Sequence, residues 1–226
     1  RMFPYHDENQ TERTPVVTIA IIALCAAVWI LVQGAGNAYR VAETVCNYGL
    51  VAGELTGLAQ PGTGLPMGDG LACVVDPGPE YMAIFTSMFL HGSWMHLLGN
   101  MWFLWLFGNN IEDSMTRPRF VVFYLLCGIA AALLQVWSGP DSPVPMVGAS
   151  GAISGVFGGV LMLLRQSGRM SSLLPVAGIW IALNVFFGVV GGTPGAGGEP
   201  VAWLAHIGGF VYGLLAIRFF LPREQV

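Results

Sequence analysis

Lysine is absent from this chain of 226 residues, and all nine of its basic residues are arginines. Charge of either sign is scarce: 10% of the residues are charged, against about 25% in an ordinary soluble domain. Four cysteines stand far apart, and the four histidines lack ligand spacing, so neither a metal site nor a cofactor is expected. No internal repeat appears, which leaves one domain as the simplest organisation. The net charge of −4 gives no electrostatic footprint for a nucleic acid, and no such partner is expected.

Apolar sequence fills the space that charge has left. The chain is 54% hydrophobic with a mean hydropathy of +0.65. Membrane-length apolar stretches recur at 16–34, 86–107, 120–138, 149–164, 173–191 and 201–217. These predict an all-α polytopic membrane protein, a bundle of six transmembrane helices with the lipid bilayer as its surroundings. Residues 1–15 then form a cytoplasmic tail, 16–221 a single membrane domain and 222–226 a short cytoplasmic tail. The first stretch follows a polar lead and has no small-residue cleavage site, so it reads as a span rather than a signal peptide.

The arginines set the orientation. With a cytoplasmic N-terminus, Arg1, Arg13, Arg117, Arg119, Arg165, Arg169, Arg218 and Arg223 all fall inside. Arg40 alone falls outside, in a loop that also carries Glu43, Glu54, Asp69, Asp76 and Glu80. The positive-inside rule favours six spans with both termini cytoplasmic. Cys25 and Cys127 lie within spans and read as packing residues. Cys46 and Cys73 share the long outside loop, where an oxidising compartment leaves a disulfide open but does not fix it.

Two polar groups sit at bilayer depth. Ser150 lies in MVGASGAISGVFGGVLMLLR and His206 in VAWLAHIGGFVYGLLAIRFF. Such groups are costly in lipid and usually face a bundle interior or a watery cavity. Counting from Arg165 and Arg218 at ~1.5 Å per residue puts Ser150 ~22 Å and His206 ~18 Å above the inner boundary. With Asn109 taken as an inner end, His96 and Asn100 fall at ~20 and ~14 Å. Gly151, Gly155 and Gly159 follow the serine at four-residue spacing, and Ala205, Gly209 and Gly213 bracket the histidine. Rows of that kind let helix backbones approach closely, whether for packing alone or to bring Ser150 to His206. Pro143, Pro145 and Gly148 predict an irregular approach to a helix that starts at Ala149 or Ser150, inside the bilayer. Irregular backbone there needs a cavity, and hydrolysis needs one too.

Three motifs in this order, HGSWMHLLGNM at 91–101, GASG at 148–151 and AHIGGFVYG at 205–213, resemble the rhomboid family of intramembrane serine proteases. The resemblance covers about residues 80–217. It implies a Ser–His dyad in which Ser150 is the nucleophile and His206 the general base. His96 and Asn100 match donors that stabilise the oxyanion; His91, Gly148, Gly151 and Gly209 match supporting positions. The implied substrates are single-pass transmembrane proteins, cleaved near the outer face of a bacterial plasma membrane.

Two departures from the family pattern stand out. Ser154 occupies the position where many relatives carry an aromatic against the base, so Phe157 or the Ser154 hydroxyl is the expected substitute. The aromatic–Arg motif that should fall near Met82 and Ala83 lacks its arginine. The glycine-rich stretch 191–200 is expected to cap the cavity, and Trp102, Phe103, Trp105 and Phe107 are candidates for a lateral path. Competing readings are a non-catalytic relative that binds membrane clients and a small transporter.

Overall fold

A computed structural model describes residues 13–68, 70–166, 177–178, 180 and 203–222. The N-terminal residues 1–12, nearly all of the expected span 173–191, the stretch 191–200 and the last four residues lie outside the described set. Helices occupy the other five expected spans: α1 (Val16–Ala27), α5 (Trp94–Ser114), α6 (Arg117–Ser138), α7 (Ser150–Gln166) and α8 (Trp203–Ala216). α1 runs on through a π turn at Val28–Val32, and α8 through a 3₁₀ turn at Ile217–Phe219. Among the described helices, α6 alone is both long and apolar enough to cross a membrane by itself.

The expectation of an all-α chain needs correction in the loop between the first two spans. There, α2 (Ala38–Tyr48), α3 (Ala52–Thr56) and α4 (Ala83–Thr86) alternate with short strands. β2 (Gly64–Gly68) and β3 (Leu71–Val74) form an antiparallel ribbon. β1 (Leu50–Val51) pairs with β4 (Pro145–Met146), so this loop is hydrogen-bonded to the segment that leads into Ser150. Cys46 and Cys73 form a disulfide that ties α2 to β3.

The second span is also displaced from its expected bounds of 86–107. Ser93 is the N-cap of α5, its Oγ accepting from His96 N at 3.1 Å, and the residues before it form a 3₁₀ turn at Ser87–Phe89. The helix then continues to Ser114, past the Asn109 used as its inner end. His96 and Asn100 therefore stand five residues, or ~7 Å, further from that end than the sequence ruler gave.

Glu112 explains the extension. Its carboxylate accepts from Val17 N (2.9 Å), Thr18 N (2.8 Å) and Thr18 Oγ1 (2.9 Å). Those first-turn amides of α1 have no acceptor within their own helix, and the helix dipole favours an anion there. Arg13 adds bonds from its backbone N and guanidinium to Asp113, and Arg119 reaches the carbonyls of Phe220 and Leu221 after α8.

Candidate active site

Gly148 opens the site. Its φ of +120° lies in the region that a side chain disfavours, and a Cβ there would stand 2.6 Å from His96 Nε2. Its N–H donates to Ser87 O at 2.8 Å, which holds the turn against the 3₁₀ segment. α7 begins two residues later, so Ser150 lies in a first turn whose N–H groups are left over by the helix.

α7 and α8 meet through glycine. A Cβ on Gly209 would overlap Gly151 O, and one on Gly213 would overlap Gly155 O; Gly151 itself is pressed against Ala131. Without that contact a side chain as short as serine would not reach across. Here Ser150 Oγ and His206 Nε2 are 2.7 Å apart.

α5 brings the other polar groups to the same cavity. Asn100 is buried, and its Nδ2 has no hydrogen-bond partner. An unpaired buried donor is expensive, so this one calls for an explanation. His96 Nδ1 accepts from Gly92 N at 3.4 Å, and its Nε2 edge faces Gly148. His91 is fully buried, with its backbone bracketed by Gln33: Gln33 Nε2 donates to His91 O at 2.8 Å and His91 N donates to Gln33 Oε1 at 2.9 Å. The His91 ring meets the His96 ring edge-on at 5.2 Å between centroids. His91 thus sits behind His96.

Ser150, His206, His96 and Asn100 all line one cavity of about 910 Å³. Its walls include α2 (Val41, Val45), the β2 residues Leu65 and Met67, and the last turn of α6. No aspartate, glutamate or arginine among the described residues lines it. Among the described residues, no group of three or more His, Cys, Asp or Glu is arranged to hold a metal ion. Phe103 lines the cavity and Phe107 is buried, whereas Trp102 and Trp105 are each 46% exposed on the outside of the bundle.

Neither substitute expected at the base takes that place. Ser154 Oγ donates to Ser150 O at 2.7 Å, within its own helix. Phe157 packs on Trp180 (5.8 Å between centroids) and Phe210 (6.1 Å). Among the described residues, the ring against His206 is Trp180, at 6.3 Å and 50°. Trp180 comes from the expected span 173–191, which carries none of the three motifs, and only its contact with His206 identifies it. Gln135, within the apolar run AALLQVW, was a readable polar signal that the motif pattern passed over.

Residues 78–223 match the Rhomboid domain. The chain belongs to the rhomboid family. Similar rhomboid proteins include RHOMBOID-like protein 1 of Arabidopsis thaliana, 31% identical over 151 residues, 65% of this chain and 36% of that protein. Rhomboid protein 1, mitochondrial, of Saccharomyces cerevisiae is 30% identical over 141 residues, 59% of this chain and 40% of that protein. Rhomboid protease GluP of Bacillus subtilis is 31% identical over 142 residues, 61% of this chain and 25% of that protein. The rhomboid match thus spans well under half the length of these relatives. The family is membrane-embedded and includes serine intramembrane proteases. Because mitochondrial and bacterial rhomboids both appear among the relatives, the similarity does not support the expected bacterial plasma membrane over an organelle membrane.

Proposed function

We propose that this chain is an intramembrane serine endopeptidase that cleaves single-pass transmembrane proteins through Ser150 and His206. The observation that carries the reading is the 2.7 Å approach of Ser150 Oγ to His206 Nε2 inside a cavity that no charged side chain lines among the described residues. A serine hydroxyl is a weak nucleophile until an adjacent base takes its proton.

In the proposed cycle, neutral His206 holds its proton on Nδ1, and Nε2 accepts the Ser150 proton as Oγ attacks the scissile carbonyl carbon. The negative charge that develops on the carbonyl oxygen is met by Asn100 Nδ2, a first-turn N–H of α7 and His96. The C–N bond then breaks, and the protonated His206 returns its proton to the leaving amine. Water then enters the cavity and gives a proton to His206 as its oxygen attacks the acyl carbon. The bond from that carbon to Ser150 Oγ breaks, Oγ takes the proton back from His206, and the carboxylic acid product leaves. A substrate helix must unwind first, because its peptide carbonyls are engaged in the helical ladder.

The test is cleavage of a single-pass reporter segment in liposomes by wild type, Ser150→Ala and His206→Ala. Wild-type cleavage lost in both folded variants supports the dyad. Equal cleavage by all three means a contaminating protease. A folded wild type that neither cleaves nor reacts with a fluorophosphonate would transfer the case to the client-binding reading.

A further inference from the structure

Gln135 is a polar side chain in the last turns of α6, within an otherwise apolar run. It is half-buried and lines the same cavity as Ser150 and His206. Its Oε1 accepts a hydrogen bond from the backbone N–H of Ala205 at 3.2 Å. Ala205 is the third residue of α8, and the first amides of a helix find no acceptor within it. Gln135 therefore caps α8 from a neighbouring helix, one residue before His206.

The rest of the interface explains why such a cap matters. Gly209 and Gly213 lie against carbonyls of α7, and a Cβ on Gly208 would come within 2.9 Å of Leu134 Cβ and 3.0 Å of Ala130 O. Glycine surfaces permit close approach, but they are smooth and offer no interlocking side chain to fix height or rotation. A hydrogen bond is directional and weakens steeply when its geometry is lost. The bond to Ala205 acts at the turn from which His206 projects. The Gln135 carbonyl is itself engaged, accepting from Ser138 Oγ at 2.7 Å and Gly139 N at 3.3 Å, which tightens the end of α6.

We propose that Gln135 is a positioning residue for the base: by capping Ala205 it sets the register of α8 against α6 and holds His206 Nε2 within reach of Ser150 Oγ. This deepens the Ser–His reading and rests on it.

The experiment compares wild type, Gln135→Met and Gln135→Glu in liposomes. Methionine keeps the length and loses the oxygen acceptor, whereas glutamate keeps an acceptor at the same reach. Three readouts are taken: kcat and KM on the single-pass reporter, the rate of fluorophosphonate labelling, and hydrogen exchange at the Ala205 amide. The expected result is a kcat lower by roughly 10–100-fold for Gln135→Met, the scale of a misplaced reacting group, with KM little changed. Labelling slows in parallel, the Ala205 amide loses protection, and Gln135→Glu restores all three. The proposal is overturned by wild-type kcat and labelling in Gln135→Met, or by an equal loss in Gln135→Glu, which would assign the role to the amide N–H groups. A raised KM at constant kcat also overturns it, since Gln135 would then be a substrate contact. An inert wild type would instead remove the protease reading, and Ala205 protection in the two variants would still decide whether the cap exists.

Discussion

The two ends of α5 treat polar groups in opposite ways. Twelve residues separate Asn100 from Glu112, and both are buried, at 8% and 5% exposure. Glu112 is saturated: it caps the first turn of α1 through three hydrogen bonds, with Arg117 Nε at 3.9 Å. Asn100 leaves its Nδ2 without any partner, facing the cavity of the Ser–His pair. One end uses its polarity to hold helices together. The other leaves a donor unpaired, the group that the proposed cycle sets against the developing negative charge.

Substitutions at the two ends should separate activity from stability. Asn100→Ala is expected to lower kcat by about 10²-fold or more, as for other single oxyanion donors, while leaving the unfolding temperature close to wild type. Steady-state kinetics and a thermal melt in the same detergent check both halves. Glu112→Ala should do the reverse. It strips the first-turn amides of α1 and should cost about 2 kcal/mol of stability, with kcat per labelled serine unchanged. A loss of kcat per labelled serine in Glu112→Ala would undo the contrast.

A weaker effect is expected where packing orients the base. Trp180→Ala removes the ring against His206 and should cost about 1 kcal/mol in kcat/KM, a several-fold loss, which Trp180→Phe largely recovers. Competitive cleavage assays resolve a change of that size. The smallest effect belongs to Glu54 in the loop between the first two spans, whose carboxylate accepts from Asp76 N at 2.9 Å. Burial, the largest cause, raises its pKa above the ordinary carboxylate value. The ionised form is then the disfavoured one in the fold. Stability of the loop should rise as pH falls through that raised pKa and decline as pH rises through it. Glu54→Gln should flatten the slope while altering stability at neutral pH by under ~0.5 kcal/mol. Melting curves between pH 4 and 8 test it.

The parts of this architecture legible in the sequence are those that the bilayer penalises. Ser150 and His206 are conspicuous because lipid makes polar groups rare, and the glycine rows announce a close crossing that the Gly151–Gly209 and Gly155–Gly213 contacts display. What hydropathy misses is whatever is settled by one hydrogen bond or by remote packing. Ser93, a single capping residue, moves the start of α5 to Trp94. The inner extension to Ser114 looks like polar loop because NNIEDS carries charge, yet Glu112 and Asp113 are engaged with α1 and Arg13 rather than solvated. The stretch 35–85 reads as one loop because its elements are short, and the β1–β4 pairing joins residues almost a hundred positions apart. Trp180 is invisible for a different reason: an aromatic in an apolar span carries no mark of which helix it will face.

The Cys46–Cys73 bridge turns the protein into a record of its own address. The other two cysteines, Cys25 and Cys127, are buried inside the bundle. A molecule whose outside loop has met an oxidising space yields two thiols once denatured without reductant, and one whose loop stayed in a reducing space yields four. Counting them in whole cells, by mass added with an alkylating reagent, reports which way each copy was inserted.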